Sequence, residues 1–372
     1  MNPSNNLSIE NGQCIAIFAY DVGFSIHIEK AERRITTIKE RERIKRTRAA
    51  PDYFDYQPPP LRIIQEQTPV NVGNHQTLPT IETVLYDFGA MMVMYRIPFQ
   101  GSFSTLLPLS EALYEHQGLL KASQTHVQHL LETLEDGVEK PELSPLVEDY
   151  VIFHILKTQP SINPSHFLAQ YGPIVAQILR CEDQPLSEQE IRDATGTQIS
   201  FGTEDLVLID WNAALVIGQE MDDVRGVLEF ANVELVERRF LDQQLDKALD
   251  EAYSRFTKQP WDTYRWPASM NANLRHIAGL QMDSAMLFER VTNTLKLFGD
   301  QYLARVYRMT SQRFHLQSWD TSIVKKLETL ENLYGKMAAS AGNRRMEILE
   351  WIIIILIAIS ILLPFIPGFP GY

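Results

Sequence analysis

The chain has 372 residues, with 47 acidic side chains against 34 basic ones and a formal net charge of −13 at pH 7. This balance argues against a general nucleic-acid-binding protein, whose surface must be basic enough to neutralise phosphates. The two cysteines, Cys14 and Cys181, fit neither a disulfide framework nor the spacing of a metal site. The length suffices for two domains, or for one domain with a helical arm.

The first part of the chain predicts a mixed domain of strands and helices over residues 14–218, after a disordered stretch at residues 1–13. Helical periodicity appears at residues 104–133 and 164–180. Because the strands come in pairs rather than in regular βαβ alternation, the predicted class of this head domain is α+β. The predicted strands lie at residues 14–20, 24–28, 61–64, 81–86, 91–97, 147–156, 206–209 and 213–217.

A basic segment at residues 30–48 contains nine Lys or Arg residues and three Glu residues, and its thin apolar stripe predicts a helix. One interpretation is a solvated helix whose Glu and Arg side chains pair across one turn. The other is an anion contact with RNA or acidic lipid headgroups. The candidate residues for that contact are Arg41, Arg43, Lys45, Arg46 and Arg48.

The densest polar cluster contains Asp210, Trp211 and Asn212, with Glu229 at the start of the next helix. Paired carboxylates can perform acid–base chemistry or hold a metal, but they equally cap helices and solvate a surface. The sequence has no nucleophile elbow, P-loop, HExxH motif or dinucleotide fingerprint. We therefore predict no catalytic residue, cofactor or metal ligand and no enzymatic activity, with a carboxylate-dependent enzyme as the alternative.

From residue 222 the pattern changes to long amphipathic helices. Apolar residues recur at a spacing of three and four through residue 256, again at residues 277–309, and again at residues 323–337. Long helices joined by short breaks typically pack as antiparallel neighbours. The sequence therefore predicts an antiparallel bundle or stalk over residues 222–343.

The C-terminal part predicts a transmembrane helix at residues 348–366, a length of roughly 28 Å that is close to the hydrocarbon thickness of a bilayer. A buried core helix is the alternative. Arg344 and Arg345 precede this run, and the positive-inside rule then places the N-terminal bulk on the cytoplasmic side. The first residues show neither the basic nor the apolar region of a leader. The predicted anchor residues are Trp351, Ile352, Ile353, Ile354, Ile355, Leu356, Ile357, Ile359, Ile361, Leu362, Leu363, Phe365 and Ile366.

Four stretches together resemble the "required for meiotic nuclear division" protein family, a domain family of unknown biochemical function. They are residues 208–216 (LIDWNAALV), 227–241 (VLEFANVELVERRFL), 313–320 (RFHLQSWD) and 344–351 (RRMEILEW). The resemblance implies an α+β head, a helical C-terminal part with a membrane segment, large homo-oligomers and a link to mitochondrial translation. It implies no catalytic residues. Because the chain lacks the targeting peptide of the mitochondrial members, the resemblance favours a bacterial-type member.

These observations predict a tail-anchored, single-pass membrane scaffold or tether that forms homo-oligomers and presents a cytosolic α+β head. Two alternatives stay open. One is an RNA- or ribosome-tethering protein that uses the basic segment at residues 30–48. The other is a membrane-associated enzyme that uses the carboxylates of Asp210 and Glu229.

Overall fold

The computed structural model describes residues 7–35, 38–41, 59–258, 278–282, 285 and 301–362. The strands are β1 (Ser8–Asp21), β2 (Ser25–Ile26), β3 (Ile38–Arg41), β4 (Leu61–Glu66), β5 (Asn71–Val72), β6 (His75–Gln76), β7 (Thr80–Leu85), β8 (Ala90–Ser102), β9 (Val138–Glu139), β10 (Val147–Gln159), β11 (Gln198–Ile199), β12 (Leu206–Ile209) and β13 (Ala213–Ile217). The α-helices are α1 (Ile28–Arg34), α2 (Leu106–Leu113), α3 (Gln117–Leu134), α4 (Pro164–Arg180), α5 (Glu188–Thr195), α6 (Asp222–Lys258), α7 (Gln301–Arg313) and α8 (Leu316–Leu362).

Nine strands form one mixed sheet in the order β11-β12-β13-β10-β1-β8-β7-β4-β3. The long strand β1 lies at its centre and pairs antiparallel with β8 on one side and β10 on the other. The pairing of β10 with β13 is parallel. Successive residues of a strand face opposite sides of the sheet, and in β1 both sides are buried from Cys14 to Tyr20. The strands therefore need a helical layer on each face, and the prediction of an α+β domain is confirmed.

Each face of the sheet has its own apolar core. Helices α2, α3 and α4 cover the face that carries Cys14, Ala16 and Phe18, with residues such as Leu130 and Val175. The opposite face, which carries the odd-numbered residues of β1, is covered by α7 and by the N-terminal half of α6. This second face, under α6 and α7, contains the buried charges described below.

The described residues divide into two compact units. The first contains the residues up to Phe240 together with those from Gln301 to Asp320, and the second contains the residues from Leu241 and from Thr321 onward. Residues 222–240, predicted as part of a stalk, thus lie in the first unit. The reason is that the residues of α6 that share a core with the strands, from Val224 to Val236, all lie in its first half.

Within the second unit α6 and α8 run in the same direction, as the first and third helices of an up-and-down bundle do. The predicted antiparallel packing of successive helices stays a prediction, because most of the middle helix, predicted at residues 277–309, lies outside the described residues. Ser322 Oγ donates to Asp242 Oδ1 at 3.0 Å, and Lys326 Nζ lies 2.6 Å from Asp246 Oδ1. A step of four residues toward the C-terminus of α6 therefore corresponds to a step of four residues toward the C-terminus of α8. Heptad-spaced residues meet along this contact, where Leu245 and Leu330 are fully buried.

Two local predictions near the N-terminus are wrong. Residues 8–13, expected to be disordered, are part of β1, because their backbone pairs with β8 and β10 on both sides. Of the described residues in the basic segment, those up to Arg34 lie in the helix α1, whereas residues 38–41 form the strand β3, which pairs with β4. The β-branched run from Ile35 to Ile38 favours extended backbone and ends the helix.

The predicted transmembrane helix is also wrong. Among the described residues, no helix combines the length and the apolar character that crossing a membrane requires. The turns before the apolar end of α8 carry Arg345, Glu347 and Glu350. The tail anchor, the single-pass membrane location and the cytoplasmic-side orientation are therefore contradicted; Leu363, Phe365 and Ile366 lie outside the described residues.

Candidate functional site

The structure separates the two carboxylates that the sequence grouped together. Asp210 lies in the turn between β12 and β13, whereas Glu229 lies in the N-terminal half of α6. Both are buried, at 0% and 1% exposure. Each contacts two arginines, and the two sets of arginines do not overlap. The predicted cluster is therefore two separate ion-pair clusters.

The first cluster, here named the Asp210 clasp, consists of Asp210, Asp193, Arg180 and Arg313. Asp210 Oδ2 lies 2.6 Å from Arg180 Nε, and Asp210 Oδ1 accepts a hydrogen bond from Arg313 Nε at 2.8 Å. The same arginines bind Asp193, with 2.8 Å between Arg313 Nη2 and Asp193 Oδ2. Two positive and two negative charges thus hold the β12–β13 turn against α4, α5 and α7.

The backbone around Asp210 is fixed as firmly as its side chain. Tyr150 Oη donates to the Asp210 carbonyl at 3.0 Å, and the Trp211 N–H donates to Asp210 Oδ1 at 2.8 Å. The carbonyl of Asn212 accepts a hydrogen bond from the Val151 N–H at 3.2 Å. Trp211 itself is 51% exposed, so its ring lies on the surface rather than in a site.

The second cluster, here named the cross-sheet row, runs over five adjacent strands through Arg62, Glu82, Arg96, Gln13 and His154. Glu82 lies 3.0 Å from Arg62 Nη1 and 2.8 Å from Arg96 Nη2. Arg96 Nη1 donates to Gln13 Oε1 at 3.0 Å, and His154 Nε2 lies 2.8 Å from the Gly218 carbonyl. Burial alone would raise the pKa of Glu82, but the two arginines prevail and lower it. Glu82 is therefore held as a carboxylate.

Glu229 connects this row to α6. Its Oε2 accepts from Arg62 Nη2 at 2.8 Å, and its Oε1 lies 2.9 Å from Arg225 Nε. Arg225 also pairs with Asp222 at 3.0 Å. The cross-sheet row and these α6 residues together carry three arginines and three carboxylates, so their charges balance. This balance fixes the start of α6 on the sheet.

A third cluster, here named the Glu234 cluster, joins α6, α7 and α8. Arg238 Nε donates to Asp320 Oδ1 at 2.7 Å, and Tyr307 Oη donates to Glu234 Oε2. Arg238 Nη1 also lies 3.6 Å from Glu234. Burial raises the pKa of Glu234 to about 7, although Arg238 and the Tyr307 hydrogen bond act in the opposite direction. Glu234 therefore titrates near neutral pH in the folded protein.

This pKa predicts a pH dependence of stability that a single substitution removes. The folded-state pKa of Glu234, about 7, lies above the ordinary 4.5. The folded protein therefore binds more protons than the unfolded protein at pH values between these two. The contribution of Glu234 to the free energy of unfolding is fully present below pH 4.5. It is lost as the pH rises through about 7, by up to about 3 kcal/mol. Urea unfolding at pH 5 and pH 8 should show this loss in the wild type and not in Glu234→Gln. Parallel pH profiles of the two proteins would count against it.

These contacts leave Asp210 and Glu229 little capacity for chemistry. A general base must reach its substrate, and both carboxylates are buried against arginines. In the part of the chain that the structure describes, His, Cys, Asp and Glu side chains form no group of three or more able to hold a metal ion. The arrangement supports a structural role in which charges fasten helices to the sheet.

Lys30 and Arg34, two of the nine basic residues in the predicted anion-contact segment, pair with acidic side chains within the molecule. Arg34 lies 2.6 Å from Glu135 and 2.5 Å from Asp136, and Lys30 lies 4.0 Å from Asp136. The structure gives only the backbone of Arg41, in β3. Arg43, Lys45, Arg46 and Arg48 lie outside the described residues. Arg344 and Arg345 lie within α8, with no description of their side chains.

Sequence reasoning missed the arginines of these clusters. Arg62 lies between the buried residues Leu61 and Ile63, and a charged residue at such a place in a strand is a usable signal of a buried ion pair. Arg238 interrupts an otherwise apolar helical stripe and gave the same signal. Arg180 and Arg313 follow no such pattern, because their partners come from distant parts of the chain.

A comparison with known proteins identifies a relative of this chain. The chain is 24% identical over 207 residues to the "Uncharacterized protein MJ0711" of Methanocaldococcus jannaschii, an alignment that covers 54% of this chain. The chain spans about three fifths of that relative, or 62% of its length. No solved structure matches the chain.

The matched region includes the whole sheet from β1 to β13 and most of the Asp210 clasp. The family model described as "Uncharacterized protein MJ0711, N-terminal domain" matches residues 11–223 of the 372. Since this is more than half of the chain, the protein belongs to the family of the MJ0711 N-terminal domain.

Proposed function

We propose that this protein assembles with further copies of itself through the C-terminal part of α8. The observation that carries the proposal is the exposure of this segment. Leu349, Trp351 and each residue from Ile352 to Ile357 are between 47% and 64% exposed in the single chain. Contiguous apolar surface of this extent is unfavourable in water and typically marks a protein–protein interface.

The sequence of α8 supports a helical partner. Its apolar residues keep a heptad spacing from the part that packs on α6 into the exposed part, with Arg344 as the single charged exception. A sustained heptad repeat is the pattern that pairs helices side by side. The seam contains Ile323, Leu327, Leu330, Tyr334, Met337, Ala341, Arg344, Ile348, Trp351, Ile355, Ala358 and Leu362.

The exposed segment of α8 follows the part of the helix that packs on α6. Asp242 pairs with Ser322, and Asp246 lies 2.6 Å from Lys326. Further along α8, Leu349 and residues 351–357 are exposed in the single chain. A second copy of the same helix has the matching seam to cover this segment.

The number of copies follows from which positions are apolar. Ile352 and Ile354 flank the seam, at positions that a two-stranded coiled coil leaves partly exposed and a larger bundle covers. Both are about half exposed in the single chain, at 47% and 53%. The proposal therefore favours an assembly of three or more chains.

Two matched substitutions test the seam. Ile355 lies on it and is 52% exposed, while Ile353 lies on the opposite side of the helix and is 54% exposed. Each change to Glu removes the same side chain and adds the same charge. We expect Ile355→Glu to dissociate the assembly, weakening association by at least about a hundredfold because the new carboxylate is buried. Ile353→Glu should leave it intact, as measured by sedimentation velocity of the full chain.

If the two substitutions weakened association equally, association would not depend on one face of the helix. The proposed seam would then be wrong. A full chain that stays monomeric in water before any substitution would refute self-assembly itself.

A contact between the basic segment at residues 30–48 and RNA is a second, separate proposal. Its support is the nine basic side chains of the segment, of which Lys30 and Arg34 pair with Glu135 and Asp136. The finer resemblance to the meiotic nuclear division family also stays a proposal. Its support is that three of the four resembling stretches supply contacts of the clusters, through residues such as Asp210, Arg238 and Arg313.

A further inference from the structure

The Glu234 cluster contains two carboxyl groups but a single arginine. Glu234 and Arg238 lie on α6 and are 2% and 1% exposed. Asp320 lies near the start of α8, with 32% of its side chain exposed. If both carboxyl groups were ionised, one negative charge inside the protein would have no balancing positive charge, and such burial is costly. A single proton on Glu234 removes this imbalance.

The hydrogen bonds of Arg238 fit a protonated Glu234. Arg238 Nε donates to Asp320 Oδ1 at 2.7 Å, and Arg238 Nη1 donates to the backbone carbonyl of Glu234 at 3.1 Å. The same Nη1 lies 3.6 Å from Glu234 Oε2, which is beyond hydrogen-bonding distance. Arg238 thus binds the backbone carbonyl of Glu234 rather than its carboxyl group. An ionised carboxylate would be the stronger acceptor of the two.

The two oxygens of Glu234 also lack the donors that a buried carboxylate needs. Tyr307 Oη donates to Oε2, and Oε1 is buried without a hydrogen-bond partner among the described residues. Burial, and then Glu234 itself, raises the pKa of Tyr307, so that its phenol stays protonated. One neutral donor stabilises a buried negative charge only weakly. The charged and titratable groups that act on Glu234 are Arg238, Tyr307 and Asp320.

Loss of the proton from Glu234 changes which carboxylate Arg238 binds. An ionised Glu234 attracts Arg238 Nη1 across only 3.6 Å and repels Asp320. Asp320 is partly exposed and can be solvated by water, whereas Glu234 is buried and cannot. Arg238 therefore moves from Asp320 to Glu234. The start of α8 then loses the charged hydrogen bond that attaches it to α6.

We propose that Glu234 is a proton-controlled switch for the attachment of α8 to α6. With Glu234 protonated, Arg238 binds Asp320 and the start of α8 is attached. With Glu234 ionised, Arg238 binds Glu234 and Asp320 is released. Because burial raises the pKa of Glu234 to about 7, changes of pH around neutrality operate the switch. The switch is separate from self-assembly, whose exposed residues begin at Leu349.

Hydrogen–deuterium exchange of the full chain between pH 5 and pH 9, measured by mass spectrometry and corrected for the intrinsic exchange rate, tests the switch. Residues 320–327 form the turns of α8 that begin at Asp320. We expect their protection to fall about tenfold or more as the pH rises through about 7, the effect of losing one charged hydrogen bond. Glu234→Gln should keep the protection high at pH 9, and Asp320→Asn should make it low already at pH 5. Glu328→Gln, at an exposed glutamate of α8, is the matched control and should behave as the wild type.

The opposite effects of Glu234→Gln and Asp320→Asn separate the switch from a general loss of stability, which would lower the protection in both variants. Protection of residues 320–327 that does not change with pH in the wild type would overturn the proposal. So would the wild-type pH dependence in Glu234→Gln, or wild-type protection at pH 5 in Asp320→Asn.

Discussion

Replacing Asp210 with alanine is expected to lower the free energy of unfolding by about 3–5 kcal/mol, the usual cost of removing one partner of a buried ion pair. Asp210 is completely buried and contacts Arg180 and Arg313. Without it, the two guanidinium groups face each other across an emptied site. The carboxylates that remain near them are exposed: Asp193 is 53% exposed, and Glu190, 3.5 Å from Arg180, is 49% exposed. Chemical denaturation of the wild type and the variant measures the difference.

Asp193→Ala is the control for this prediction, because it removes a carboxylate from the same two arginines at the protein surface. Exposed ion pairs contribute about 0–1 kcal/mol, so this variant should be nearly as stable as the wild type. Similar losses in the two variants would mean that burial of Asp210 does not control the energetics of the clasp.

Replacing Arg62 with methionine is expected to cost about 3 kcal/mol, at the lower end of the range for buried pairs. Arg62 is 4% exposed and lies between Glu82 and Glu229. Each glutamate keeps one other arginine, Arg96 or Arg225, and this limits the loss. The free energy of unfolding at pH 7 gives the result.

A second substitution distinguishes the charge of Arg62 from its packing. Adding Glu229→Leu to Arg62→Met removes the carboxylate that has lost one of its two arginines and places apolar groups on both sides, while Arg225 keeps Asp222. This double variant should recover part of the lost stability, because apolar replacements for both partners are often tolerated. Additive losses from the two substitutions would show that the pair is not coupled.

The strands were predictable from the sequence because their apolar runs depend on local pattern alone. β10 and the β12–β13 hairpin lie where β-rich residues indicated them. The order of the strands was not predictable, since β1 pairs with β8 and β10, which lie far along the chain. The partners of Arg180 and Arg313 could not be predicted for the same reason. A salt bridge between distant segments leaves no periodic signal in the sequence.

The helices show a similar limit. Heptad spacing correctly indicated long helices at α6 and α8, but it does not indicate whether the two helices run parallel or antiparallel. The parallel contact is visible only from the pairs of Asp242 with Ser322 and Asp246 with Lys326. The apolar end of α8 was noticed and wrongly interpreted as a membrane span. In the structure it is an exposed continuation of a packed helix, and no described helix has the length and apolar character of a membrane span.

The candidate site was only partly predictable. Asp210 and Glu229 were singled out correctly as unusual carboxylates, but their separation into two clusters depends on the sheet order. Tertiary contacts thus decided which polar residues came together.

The most direct test of the central claim, self-assembly through α8, is the molar mass of the full chain in aqueous buffer by multi-angle light scattering. One chain has a mass of 42.7 kDa. The proposal predicts a mass of at least three chains that falls when the protein is diluted or when Ile355 is replaced by Glu. A mass of one chain at every concentration would contradict it.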